Sequence, residues 1–199
     1  MVTQDMVTHD PRITVRPATP EDARAMAEVH VTSWQETYRG LISDETLGDP
    51  AFVERRERMW TTVLRDERYR EHRVAVAVEN AVSGDGHGNA AMHARGASRI
   101  VGIAMSGPPP ESDDSTDLPC TRHLYVLYTL AAVHGRGAGT ALAESVLHPA
   151  ETVSLWVADP NPRAQAFYRK LGFTPDGVEL IDETDGFREI RMIRRHVSR

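Results

Sequence analysis

The sequence predicts a single mixed α/β domain, and three observations carry that prediction. Apolar residues make up 40% of 199, enough for one hydrophobic core at this length. β-Branched runs alternate with capped, amphipathic helical segments in the order β α α β β β α β α β β. No internal repeat or linker interrupts that order, so residues 12–199 read as one domain behind a flexible tail, residues 1–11.

Each element has a local cause. "RITVRPAT", residues 12–19, alternates apolar and polar side chains as a half-buried strand does. Thr19, Pro20 and the acids Glu21 and Asp22 then signal a helix start, and the helix is expected to run from about Pro20 to Tyr38. A second helix lies in residues 50–67, apolar at Phe52, Val53, Met59, Trp60, Val63 and Leu64, with its Arg/Glu run as a solvated face. "RVAVAVEN" (73–80) and "IVGIAMSG" (100–107) are β-branched strands. The small, polar, Gly-rich stretch between them, residues 81–98, is expected to be a mobile insertion. His87 and His93 within it lack spaced partner ligands, so no metal site is expected there. After an acidic loop, residues 108–119, come a strand (123–130), a glycine turn leading into a helix (131–147), a strand (153–158), a helix (161–172) and two strands within 178–195.

Charge and cysteine content narrow the function. A formal charge of −6 disfavours nucleic acid and anionic membranes as partners and mildly favours a small cation. The lone cysteine, Cys120, rules out an internal disulfide and any CxxC metal site, which fits a reducing cytoplasm. Its acidic surroundings, "ESDDSTDLPC", would raise a thiol's pKa, so it is a poor nucleophile. No window reaches 18 apolar residues, and "MVTQDMVTHD" has neither a basic nor an apolar leader region.

"HGRGAG", residues 134–139, follows a strand and opens a helix. Glycines at 135, 137 and 139 let several N–H groups point one way, and with the helix dipole they form a site for phosphate or pyrophosphate. It is not a Walker loop, which needs a Lys-Ser/Thr pair, nor a dinucleotide fingerprint, which needs Gly where Thr140 stands. An ordinary glycine-rich turn is the plainer reading of this segment alone. Downstream, "NPRAQAFYRKLGF" gives Asn161 as helix cap, Pro162 at the first helical position, and Gly172 as terminator.

Together the two stretches resemble the acetyl-CoA-binding core of the GCN5-related N-acetyltransferase (GNAT) superfamily. Its pattern is Gln or Arg, two spacers, Gly, one spacer, Gly or Ala, and later Asn-x-x-Ala-x-x-Phe-Tyr before Gly-Phe. The match is densest from His123 to Phe173, and "SWQETYRGLISDE" looks like the first-helix region of a bacterial small-molecule branch. The resemblance implies a twisted, mostly antiparallel sheet splayed between its fourth and fifth strands and flanked by about four helices. It implies acetyl-CoA as co-substrate, with its diphosphate on the N–H groups of Gly135, Arg136, Gly137, Ala138, Gly139 and Thr140 and with the Arg136 side chain adding charge. Leu127, Tyr128, Thr129 and Leu130 would bond the pantetheine amides, and an N–H near Thr129 would polarise the thioester carbonyl, a contact that typically supplies about 10² to 10³ in rate. Asn161 would touch the cofactor arm, Tyr168 would place its hydroxyl by the sulfur, and a homodimer is a family-level expectation. Two positions depart from the pattern: His134 stands at the usual Gln or Arg, and Ala131 at the strand's usual Pro. Neither removes a backbone donor.

The chemistry requires side chains as well. An alkylammonium of pKa near 10.4 is neutral in about one molecule in 10³ at pH 7, a handicap of roughly 4 to 5 kcal/mol. A base must take that proton, and an acid such as Tyr168 helps the thiolate leave. Carried over from the histone-acetylating branch, the base position falls on His123, a residue type suited to accepting a proton near neutrality. Glu36 is the rival, as a base through water or as the anionic part of a wall with Trp34 and Tyr38 that holds a cationic amine. The expected activity is acetyl transfer from acetyl-CoA to a small cationic amine by direct attack. A protein N-terminus or lysine is the alternative acceptor, and a non-catalytic acyl-CoA sensor is the alternative of another class.

Overall fold

In the computed structural model, which describes residues 10–40, 42–81, 97–110, 120–181 and 188–196, seven strands join into one sheet. They are β1 (Ile13–Pro17), β2 (Arg73–Glu79), β3 (Arg99–Gly107), β4 (Arg122–Thr129), β5 (Val153–Asp159), β6 (Thr174–Ile181) and β7 (Arg188–Arg194). Their order is β1-β2-β3-β4-β5-β7-β6, antiparallel throughout except where β4 meets β5. Among the described residues, five α-helices accompany them: α1 (Ala23–Tyr38), α2 (Asp44–Leu47), α3 (Phe52–Arg65), α4 (Ala138–Val146) and α5 (Pro162–Lys170). The mixed architecture and element order are those expected, with the short α2 added. Most of the 81–98 insertion and of the 108–119 loop lies outside the described residues, as do His87 and His93. So do residues 1–9 of the tail, whereas Asp10 is anchored, its N–H donating to the Arg136 carbonyl at 3.2 Å.

The sheet separates two cores. On one face α1 and α3 bring Met26, Ala27 and Trp60 onto Val76, Ile103 and Val126. On the other, α4 lays Ala138, Leu142 and Val146 over Ala75, Val101 and Leu124, and Tyr168 of α5 and Leu171 just after it pack on the same cluster. Met26, Trp60, Val76, Val101, Ile103 and Leu142 have no exposed surface, so each contributes its full apolar burial, about 1.5–3 kcal/mol for an aliphatic side chain.

The sequence places the last strands in 178–195, but β6 starts earlier, at Thr174. Within it Gly177 takes φ +90° and the register slips between Pro175 and Glu179, so a bulge carries Pro175, Asp176 and Gly177 within the strand.

The feature that positions the site is the junction of β4 and β5. Only Arg122 with Val153 and His123 with Ser154 pair across it, and beyond them the strands diverge. The backbone of β4 from Leu124 onward is therefore left without a partner strand on its β5 side, in the middle of the sheet.

Candidate active site

The wedge between β4 and β5 opens into a cleft of about 810 Å³, within the range typical of ligand pockets. One side is built from backbone. After β4, residues Ala131–Val133 make a single 3-10 turn, and Gly135 and Gly137 then take φ of +76° and +86° to swing the chain into α4. Gly137 is the N-cap of α4 and no side chain caps it, so the first-turn N–H groups of the helix, at residues that line the cleft, are left uncapped at the positive end of its dipole. A side chain at Gly139 would meet the Phe167 ring at 3.2 Å, so the glycine is what lets α5 close against this turn. These features fit an anionic diphosphate held by main-chain donors.

Asn161 caps α5, its side chain accepting from the Ala164 N–H at 3.1 Å. α5 thereby carries Tyr168, Arg163 and Lys170 to the same cleft. Burial pushes the Tyr168 phenol above its ordinary value, so it stays protonated throughout the physiological range. Burial lowers the Arg163 guanidinium's pKa, while nearby Glu36 favours its charged form.

The other side is built from side chains of four elements. α1 supplies Ser33, Thr37 and Tyr38, β4 supplies His123, Tyr125 and Tyr128, β5 supplies Trp156 and β7 supplies Glu189. The pairing of Ala158 with Glu189 and of Trp156 with Arg191 puts Trp156, Glu189 and Arg191 on one face, opposite Leu155, Val157 and Ile190 in the α4 and α5 core. Burial raises the pKa of both Tyr38 and Tyr128, and the nearby Glu189 carboxylate adds to the rise. His123 is only 4% exposed, with Nδ1 2.8 Å from the Ser154 hydroxyl and its ring edge-on to Tyr125 at 4.6 Å.

Most of the residues singled out from the sequence meet here. Leu127, Tyr128, Thr129, His134, Gly135, Gly137, Ala138, Gly139, Thr140, Asn161 and Tyr168 line the cleft, as do His123 and Tyr38. His134, in place of Gln or Arg, holds the Thr129 carbonyl with Nε2 at 3.1 Å and so braces the turn.

Four residues go elsewhere, each for a visible reason. The Arg136 guanidinium, expected beside the diphosphate, turns outward to Asp10 at 2.9 Å and Glu79 at 2.7 Å. The N–H of Leu130, expected to bond pantetheine, donates to the Val101 carbonyl at 2.9 Å. Trp34, expected to hold a cationic amine, has its ring face covered by Arg56 at 5.0 Å and packs between Tyr38 and Phe52 behind the cleft wall. Glu36 accepts the Ala131 N–H at 2.8 Å and is not part of the cleft lining. Sequence reasoning passed over Glu189, Trp156, Ser33 and Arg163; the apolar alternation at Ile190 and Met192 marks Glu189 as facing away from the core, but only the β5–β7 register shows what it faces.

Residues 50–173 match the model of the acetyltransferase (GNAT) family. The chain belongs to the GNAT acetyltransferase family. As a GNAT enzyme it is an acetyl-CoA-dependent N-acetyltransferase. It is 28% identical over 171 residues to the uncharacterized N-acetyltransferase YuaI of Bacillus subtilis, covering 83% of this chain and 82% of that protein. Its fold is similar to that of the PaiA N-acetyltransferase from Thermoplasma acidophilum in complex with coenzyme A, with a TM-score of 0.60 at 18% identity over 92% of this chain and 98% of that one. A related acetyltransferase structure from Corynebacterium glutamicum, described with histone acetyltransferase HPA2, gives a TM-score of 0.59 at 21% identity, covering 94% and 98%. Among the described residues of this GNAT chain, no helix is long and apolar enough to cross a membrane.

Proposed function

We propose that the acceptor is the primary amine of a small cationic molecule, acetylated by direct attack on acetyl-CoA within a ternary complex. The observation that carries this reading is Glu189: a carboxylate that lines the cleft together with Tyr38 and Tyr128, opposite a cofactor side of main-chain donors. A carboxylate amid aromatic side chains suits an ammonium group.

In this reading the N–H groups of Gly135 and of residues 137–140 hold the diphosphate, while that of Arg136 donates to the Val133 carbonyl at 3.3 Å. With Arg136 turned outward, Arg163 and Lys170 of α5 supply the positive charge that its side chain does not. The unpaired edge of β4 from Leu127 to Thr129 receives the pantetheine arm and the thioester oxygen. His123 takes the amine proton, its ring held by the contact of Nδ1 with the Ser154 hydroxyl at 2.8 Å, and the contact of Glu36 with Ala131 favours His123 over Glu36 for that role. Tyr168 donates to the leaving sulfur. Its phenol is a weaker acid than an ordinary thiol of pKa about 8.5, so full proton transfer is uphill and the hydroxyl acts as a hydrogen-bond donor that steadies the developing thiolate. The single cysteine supports a reducing, cytoplasmic setting, and exposed Leu180 and Ile181 on the edge strand β6 support a homodimer.

Thiol release from acetyl-CoA, measured against polyamines, amino acid amides, aminoglycosides and lysine peptides, tests the acceptor class. Small di- or polycations are expected to be turned over with the highest kcat/KM, and a preference for peptides would overturn the reading. His123→Ala should lower kcat most below pH 8 and recover at high pH, where the amine deprotonates without help. An unchanged profile would remove His123 as the base.

A further inference from the structure

Glu36 sits on α1, in the same stretch as the acceptor-side residues Ser33, Thr37 and Tyr38, yet it is not part of the cleft lining. Oε2 accepts the Ala131 N–H at 2.8 Å, a contact spanning 95 residues of chain. Ala131 is the first residue of the 3-10 turn that leads from β4 to the diphosphate-binding glycines. An N–H at that position has no partner within its own turn. The neighbouring groups are already engaged: Leu130 N–H with the Val101 carbonyl, Val133 N–H with the Leu130 carbonyl, and His134 N–H with the Ala131 carbonyl. Glu36 therefore supplies the acceptor that the Ala131 N–H lacks within its own turn, and does so from the helix that walls the acceptor side.

We propose that Glu36 is a positioning residue: through its bond to Ala131 it fixes the entry to the diphosphate turn and ties the cofactor side of the cleft to the acceptor helix. The inference rests on the reading that residues 135–140 hold the diphosphate. It assigns Glu36 neither proton transfer nor contact with the amine.

The backbone supplies a direct test. Leu130 has φ −59° and ψ 144°, the extended conformation required before proline. Proline also suits the first position of a helical turn, where its missing N–H would otherwise go unpaired. Ala131→Pro thus deletes the donor while keeping the local geometry. Four variants are compared with the unsubstituted chain by calorimetry with acetyl-CoA and by steady-state kinetics across pH. Glu36→Ala should raise Kd and KM for acetyl-CoA about five- to tenfold, with a smaller rise in KM for the amine and an unshifted pH profile. Glu36→Gln, whose amide oxygen accepts the same bond, should restore binding to within twofold. Ala131→Pro should bind acetyl-CoA within threefold, and adding Glu36→Ala to it should cost nothing more.

If Glu36→Gln is as impaired as Glu36→Ala, or if the pH profile moves, the charge of Glu36 matters and the positioning role is overturned. A Glu36→Ala effect that persists on the Ala131→Pro background overturns it too, as does normal acetyl-CoA binding by Glu36→Ala. Should Ala131→Pro lower the melting temperature sharply, the Gln and Ala pair at position 36 still decides between charge and hydrogen bond. Failure of the unsubstituted chain to bind acetyl-CoA would overturn the diphosphate reading itself, and is seen before any variant is made.

Discussion

The two sides of the cleft are made of different material. The cofactor side is largely main chain: an unpaired strand edge, two glycines at positive φ and a helix that starts without a side-chain cap. The acceptor side is side chain throughout, gathered from α1, β4, β5 and β7. A surface of backbone donors recognises what every acetyl-CoA molecule shares, and tolerates sequence change where it leaves the N–H groups in place. A surface of side chains from distant segments can be retuned one residue at a time. Under the proposed function, the contrast separates a fixed donor from an adjustable acceptor.

The largest expected effect breaks the cofactor side. Gly137→Val puts a β-branched residue at φ +86°, where a left-handed conformation costs roughly 1–2 kcal/mol before any donor is displaced. With the diphosphate cradle distorted, Kd for acetyl-CoA is expected to rise about 100-fold, near 3 kcal/mol of binding. Calorimetry reads this directly, and a change under threefold would show that the turn is not the diphosphate site. A smaller effect is expected across the cleft. Glu189→Gln keeps the shape and removes the charge, so KM for a dicationic amine should rise about tenfold, roughly 1.4 kcal/mol, while acetyl-CoA binding stays within twofold. If both ligands weaken together, the two sides are not independent and the contrast fails.

The same contrast explains what was legible in the sequence. Glycines, caps and β-branched alternation act within a few residues, so the element order, the turn at 134–139 and the Asn161 cap could all be read from the chain. The direction of a long side chain is set by distant partners. Arg136 looked like a phosphate ligand because nothing local shows that Asp10 and Glu79 will claim it. Trp34 and Tyr38 do share a helix face, but α3 delivers Arg56 onto the indole and makes it packing. Glu189 carries no motif; its place depends on pairing with Ala158, more than two dozen residues earlier, and on the splay that opens β5 to the cleft.

Comparing helix starts sharpens the contrast with the smallest expected effect. The 3-10 turn before α1 closes on its own carboxylate: Asp22, 9% exposed, accepts from the Thr19 N–H at 2.8 Å and from Arg16 at 2.7 and 2.8 Å. α4, by contrast, opens on bare Gly137 with no side-chain cap. If the closed start serves stability and the open one serves binding, Asp22→Asn should lower unfolding stability by about 1–2 kcal/mol at pH 7 and leave Kd for acetyl-CoA unchanged. The sign with pH follows from the hydrogen bonds of Arg16, which outweigh burial and hold the Asp22 carboxyl below its ordinary 3.8. A carboxyl lowered by folding stabilises the native state above about pH 4 and loses that contribution as pH falls through its folded value. Urea midpoints of the two chains should therefore differ at pH 7 and draw together below pH 4. A gap of the same size at pH 3 would mean that the charge of Asp22 contributes nothing and that its hydrogen bond to Thr19 alone closes the helix.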